Sequence, residues 1–231
     1  IAEVMRFGGG IIAVYDEDTV LKSLSSLGYP KEEARRFAND GCWEIQIPGK
    51  TNFSYVPFDA LKVLQNITLQ SYEGSVNFND FASLLDSYTT DIQKQVEAIF
   101  ESSVIGKFSD DKYSFKPAEP CSIVSLFEQS CIDKGLSYKE GGTDYTVVSP
   151  HIGGLPDVVN SLYAIKKAVF DDKIISFSEF MRVLKNNWQN EETLRKRIMN
   201  GYIYFGNDND EVDGIAARIL NDFSESCMMY D

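Results

Sequence analysis

Residues 76–104, VNFNDFASLLDSYTTDIQKQVEAIFESSV, carry apolar side chains at three- and four-residue spacing over a length that only a helix accommodates. Asn79 or Asp80 stands where the helix cap belongs. A helix this long must bury its apolar stripe, and the chain offers several partners. Leu61, Leu64, Ile67 and Thr68 give 58–69 one apolar face, VVNSLYAIKKAVFDD reads as a helix, and ISFSEFMRVLKNNWQNEETLRKRIMNG supplies two more. Shorter extended stretches lie between them: GGGIIAV reads as a buried strand, EIQIPG alternates like a strand edge until Pro48-Gly49 breaks it, and CSIV is strand-like. KEGGTDYTVVSPHIGGLPD is Gly-rich and extended, while DDKYSFKPAEP reads as an exposed link. No internal repeat is present. The predicted class is α/β, helix-rich, with residues 1–231 forming a single unit.

Local signals place the ends of several elements. Asp16 or Asp18 can cap a first helix that Gly28 ends. Pro30 then opens a second helix, with Gly41 expected to terminate it and deliver the chain to Cys42. Gly135 closes a short helix within SLFEQSCIDKGLS, and the polar loop GNDNDEVDG precedes a last helix. An EF-hand loop beginning at Asp208 would place Val212 and Asp213 at its fifth and sixth positions, so the calcium register fails and a helix-capping turn is expected.

Charge and cysteine usage narrow the function. A net charge of −13 argues against a partner recognised by its phosphates. No apolar run is long enough to cross a bilayer, and none has the pattern of a signal peptide. The four cysteines, Cys42, Cys121, Cys131 and Cys227, lack CxxC or CxxxC spacing, so no iron–sulfur or zinc site is expected, and the thiols read as those of a reduced cytoplasmic protein. The chain is read with no bound cofactor and no metal. FGGGIIA lacks the GxGxxG pattern, as well as the Lys-Ser/Thr of a phosphate loop. His151 is the single histidine, and any Cys-His or Ser-His pair would have to use it.

The stretch NDGCWEIQIPGK holds the chemically most suggestive triplet, Cys42-Trp43-Glu44. In an extended segment side chains two apart share a side, so the thiol and the carboxylate can face one cavity while Trp43 packs behind. That would set a hydrogen-atom or nucleophile carrier beside a general acid–base. A small buried cysteine at the start of a strand satisfies the same three letters.

Read outward from this triplet, the chain resembles the glycyl radical enzymes, the pyruvate formate-lyase-like family. GGGIIAVYDEDTVLKSLSSLGYPKEEARRFANDGCWE is similar to that family's approach to its active-site cysteine. EGGTDY, GGLPDVVNSLYAIKKAVFDDKIISFSEF and NEETLRKRIMNGYIYFGNDNDEVDGIAARI follow in the family's order, with Phe205 where a Tyr is usual. Ile12, Tyr15 and Trp43 depart from the pattern, Trp43 replacing a smaller residue. The family's Arg-Val-Ser/Ala-Gly-Tyr loop, which stores the radical, is not found. RIMNGY, with Gly201 and Tyr202, lacks its spacing and precedes the GND segment. Together with a start at Ile1, this suggests a fragment of a longer protein.

The resemblance implies part of a ten-stranded α/β barrel enclosing radical chemistry. Cys42 would be the thiyl carrier and Glu44 the acid–base of a lyase or dehydratase acting on a small polar substrate. Cys-x-Glu also occurs in family decarboxylases, whereas the acyltransferase carries two adjacent cysteines and is disfavoured by Trp43; decarboxylase and acyltransferase stand as the alternatives within the family. The glycyl radical would lie on a segment missing here and be installed by a radical S-adenosylmethionine activase. A homodimer, or a partner chain carrying the missing segments, is implied, with no nucleic acid and no membrane. A degenerate binding or scaffold protein is the competing class.

Overall fold

The computed structural model describes residues 3, 6–7, 14–41, 44–74, 76–107, 113–115 and 121–230. The strand expected in GGGIIAV lies almost wholly outside them. Helix α1 (Glu17–Ser26) starts where the sequence places it: Asp16 Oδ1 accepts from Thr19 N at 2.7 Å, satisfying one of the orphan donors of the first turn. Gly28, at φ +82°, supplies the left-handed residue after its last turn. Helix α2 (Lys31–Ala34) follows Pro30 but closes well short of Gly41. Ala38–Asp40 instead forms strand β1, paired antiparallel with β2 (Glu44–Gln46). The helix gives way because Ala34 and Phe37 already pack on a small core with Leu24 and Ile47, and the hairpin then satisfies the backbone groups of both strands.

The chain continues through β3 (Thr51–Asp59), α3 (Ala60–Lys62) and a wide π turn (Val63–Thr68) into α4 (Phe81–Ser103). Asp80 Oδ1 accepts from Ser83 N at 2.8 Å and caps α4 as expected. Strands β4 (Val104–Lys107) and β5 (Tyr113–Phe115) pair antiparallel, so the expected link DDKYSFKPAEP contains a short strand. Helices α5 (Ser122–Ser125) and α6 (Gln129–Lys134) precede β6 (Tyr145–Gly153). CSIV is therefore helical rather than extended, with Ser125 Oγ bonded back to Cys121 O at 2.7 Å. Helix α7 (Leu155–Ile165) runs into a second π turn (Lys166–Asp171), followed by α8 (Phe177–Lys185), α9 (Glu192–Gly201) and α10 (Asp210–Met228).

Among the described residues the strands pair two by two: β1 with β2, β3 with β6, and β4 with β5. Tyr145 N donates to Lys50 O at 2.9 Å just ahead of β3, and at the far end a Cβ on Gly153 would stand 3.3 Å from Phe58 O. The two strands advance together, so they run parallel, the pairing that a helical crossover permits.

The chain divides into two compact units, Ile1–Ser54 with Ser103–Ser149, and Tyr55–Ser102 with Pro150–Asp231. Neither is a continuous stretch, and no shift of composition marks the boundary. The second unit holds the larger core, in which Leu84, Tyr88, Ile92, Val158, Val159, Leu162, Phe180, Val212 and Ile219 are buried. Each such apolar side chain contributes roughly 1.5–3 kcal/mol on removal from water. The Tyr88 hydroxyl donates to Ala60 O at 3.2 Å, and buried Asp91 accepts from Thr68 Oγ1 at 2.9 Å and pairs with Lys94. The first π turn explains a register difference: Leu69 N reaches back to Leu64 O at 2.8 Å, so Val63, Leu64 and Thr68 turn inward while Ile67 is exposed.

In the first unit Glu128 is buried with Oε2 lacking any hydrogen-bond partner. Burial, and then the charge of Asp144, raise its pKa above the usual glutamate value, so the folded chain holds this proton more tightly than the unfolded one. Its contribution to stability is complete below about pH 4.5, the unfolded value, and is lost as pH rises through the raised folded one. Glu128→Gln is therefore expected to melt above the parent at neutral pH, the difference shrinking toward pH 4.5. Thermal melts of both proteins across that range test this, and a constant difference would exclude the linkage.

Candidate active site

Glu44 is the first residue of β2 and stands opposite Asp40 across the hairpin. It is buried, with 9% of its surface exposed, whereas β1 is exposed along its length. Its carboxylate folds back over Gly41: a Cβ there would lie 3.2 Å from Glu44 Oε2. Gly41 also takes φ +56°, so both its backbone and its missing side chain make room for that carboxylate. Cys42 and Trp43, which complete the triplet, lie outside the described residues.

Two clusters fix the chain as it leaves this hairpin. Ile47 N donates to Thr51 Oγ1 at 3.1 Å, and the Tyr138 hydroxyl donates to Thr51 O at 3.1 Å while accepting from Phe53 N at 3.2 Å. Burial raises the Tyr138 pKa and keeps that hydroxyl protonated as a donor. Beside it, Lys50 Nζ pairs with Glu33 at 2.9 Å and Asp144 at 3.2 Å, and the Tyr145 hydroxyl donates to Glu33 at 2.6 Å. The Tyr145 hydroxyl is pushed up to about 12 by that bond and by burial, and Glu33 is held low by Tyr145 and Lys50. Tyr138→Phe would leave Thr51 O and Phe53 N without their shared partner, with an expected cost of about 1–3 kcal/mol in urea denaturation. Neither cluster is marked by a motif in the sequence. TNFSYVPFD, rich in β-branched and aromatic residues, was the signal for β3.

The remaining candidates fall in the second unit. His151 is half-buried on β6, its ring edge-on to Tyr55 with centroids 4.5 Å apart. Gly201 ends α9, and Tyr202 leaves it in extended conformation. Asn209 Oδ1 accepts from Glu211 N at 3.2 Å and caps α10, the role expected of the polar loop. Phe205 N donates to Asn160 Oδ1 at 2.9 Å. Among the described residues of this unit, open cavities of about 520 Å³ beside Asp80, Phe170 and Lys173 and of about 590 Å³ beside Tyr163, Gly201 and Glu211 are found. Glu44 lines neither. Among the described residues no group of three or more His, Cys, Asp or Glu could hold a metal ion, and no helix is long and apolar enough to cross a membrane.

The family model described as pyruvate formate lyase-like matches residues 1–231. The chain belongs to that family. Within the pyruvate formate lyase-like proteins it is 27% identical over 251 aligned positions to the probable dehydratase YbiW of Escherichia coli (strain K12), covering 99% of this chain and 30% of the relative. The crystal structure of hydroxyproline dehydratase from Clostridioides difficile, with trans-4-hydroxy-L-proline bound, matches with a TM-score of 0.75 at 23% identity, over 97% of this chain and 30% of that one. A glycyl radical enzyme from Archaeoglobus fulgidus matches with a TM-score of 0.71 at 20% identity, over 91% of this chain and 28% of that one. The pyruvate formate lyase-like chain thus shares the fold of the matching part of glycyl radical enzymes, and it spans about 30% of their length.

Proposed function

We propose that this chain is a portion of the barrel of a glycyl radical lyase or dehydratase acting on a small polar substrate, with Cys42 as thiyl carrier and Glu44 as general acid–base. The observation that carries the reading is the buried Glu44 carboxylate, held over Gly41 two residues after the cysteine in a chain that matches the family throughout. The dehydratases among its relatives support elimination of water over the other bond cleavages of the family.

The glycyl radical, on a segment beyond these residues and installed by a radical S-adenosylmethionine activase, supplies the oxidising equivalent that turns the Cys42 thiol into a thiyl. Cys42 then takes a hydrogen atom from the substrate carbon that bears a hydroxyl. Glu44 accepts the proton of that hydroxyl, and the electron density pushed onto carbon expels the neighbouring hydroxyl, which leaves as water with the proton Glu44 returns. The product radical recovers its hydrogen atom from the Cys42 thiol, so atoms and electrons balance as loss of one water. A closed site is required throughout, since bulk water and oxygen would quench the radicals.

The test uses the longer polypeptide of which this chain forms a part, activated anaerobically with its activase. A glycyl radical signal in electron paramagnetic resonance is expected, and it should persist in Cys42→Ser while turnover disappears. No radical in the activated parent, or turnover surviving in Cys42→Ser, would overturn the assignment.

A further inference from the structure

The segment from Cys121 to Leu136 is built inside out. Three of its polar and small side chains point inward: Ser125 Oγ accepts from Tyr138 N at 2.9 Å and donates to Cys121 O, while Glu128 and Cys131 are buried. Its large apolar side chains point outward, with Ile123, Leu126 and Phe127 at 76%, 70% and 81% exposure and Ile132 at 54%. Single exposed apolar residues are ordinary, but three of this size within five positions form a patch. The hydrogen bonds of Ser125 hold the turn that presents them.

We infer that the face formed by Ile123, Leu126, Phe127 and Ile132 is an interface, and that its occupant is an apolar helix or strand face from the part of the glycyl radical enzyme polypeptide that these 231 residues do not include. This rests on the proposed reading of the chain as part of such an enzyme. Length supports it: the relatives carry most of their residues outside the region this chain matches, and that remainder must pack against it. Between Ile123 and Phe127 the segment carries no charge of either sign, which suits an apolar partner face.

Hydroxyl-radical footprinting read by mass spectrometry tests the assignment in the longer polypeptide, with the 231-residue chain beside it. In the longer polypeptide, oxidation of Leu126 and Phe127 is expected to fall to the level of buried Tyr88. Oxidation there as fast as in the urea-unfolded protein overturns the proposal. So does concentration-dependent protection in the shorter chain accompanied by a dimer in sedimentation, which would assign the face to a second copy. As a second variant, Phe127→Asp should lower the yield of folded longer polypeptide, and an unchanged yield and melting temperature would count equally against it. Protection of Phe127 without a glycyl radical would sink the proposed function and leave the interface standing, whereas a radical with Phe127 exposed would do the reverse.

Discussion

Glu44→Gln is expected to lower turnover by roughly 10²–10⁴-fold, the usual contribution of a positioned general acid–base, while leaving the glycyl radical signal of the activated longer polypeptide intact. The two effects separate because the roles do. In the proposed mechanism, forming a thiyl on Cys42 would move a hydrogen atom and need no base, whereas expelling hydroxide from a substrate radical would need a group that first takes one proton and then returns it. Glutamine keeps the size of the side chain, so the space above Gly41 stays filled, but it accepts no proton at neutral pH. Glu44 is buried in the first unit, and the Thr51–Tyr138 and Lys50–Glu33 clusters that follow it are hydrogen-bonded without its help. Loss of fold is therefore not the expected route to lost activity. Turnover equal to the parent would remove Glu44 from the mechanism. Loss of turnover and of radical in equal proportion would point to a structural role instead. Gly41→Ala offers a graded version: its Cβ would press on Glu44 Oε2 at 3.2 Å and strain a backbone at φ +56°, displacing the carboxylate without changing its chemistry.

What the sequence made legible was local. Asp16, Asp80 and Gly135 act within one turn of the helices they start or end, so their chemistry can be read without knowing the fold. Features set by distant partners were not legible in the same way. Strand β3 pairs in parallel with β6, far along the chain, and Pro57 within it weakens any reading from periodicity. The π turns at 63–68 and 166–171 break the 3.6-residue period on which helix faces are assigned, so spacing alone puts Ile67 on the apolar face although it is exposed. The candidate site divides along the same line. Cys-x-Glu is visible as three letters, and the family resemblance gave it a role. The Tyr138 hydroxyl that clamps Thr51 comes from 87 residues away, and nothing in SYKEGG announces it.

The adjacent glycines of that same SYKEGG stretch provide the second large effect, because they are glycine for different reasons. Gly141 takes φ +82° with open space around it, so Gly141→Ala should cost about 1 kcal/mol of backbone strain and little else. Gly142 has no such φ but no room either: a Cβ would stand 2.4 Å from Leu136 O, 2.8 Å from Ser137 O and 2.8 Å from Cys131 Sγ. Two of those three atoms are backbone carbonyls and cannot rotate away, so relief requires moving the α6 turn itself. Gly142→Ala is expected to cost about 3 kcal/mol or more, at the upper end for overpacking a filled interior. Equilibrium urea denaturation of the pair checks this, and equal losses at the two positions would refute the steric account. Trimming the thiol with Cys131→Ala should rescue little, since the tighter contact is to Leu136 O. The consequence reaches the candidate site through the chain. Gly142 lies just before Thr143, whose carbonyl accepts from Lys134 at 2.7 Å, and Asp144 and Tyr145, which hold Lys50 and Glu33 behind the Glu44 hairpin. A shift of that turn is thus expected to lower turnover in the longer polypeptide at temperatures where the protein is still folded, a loss that Gly141→Ala should not share.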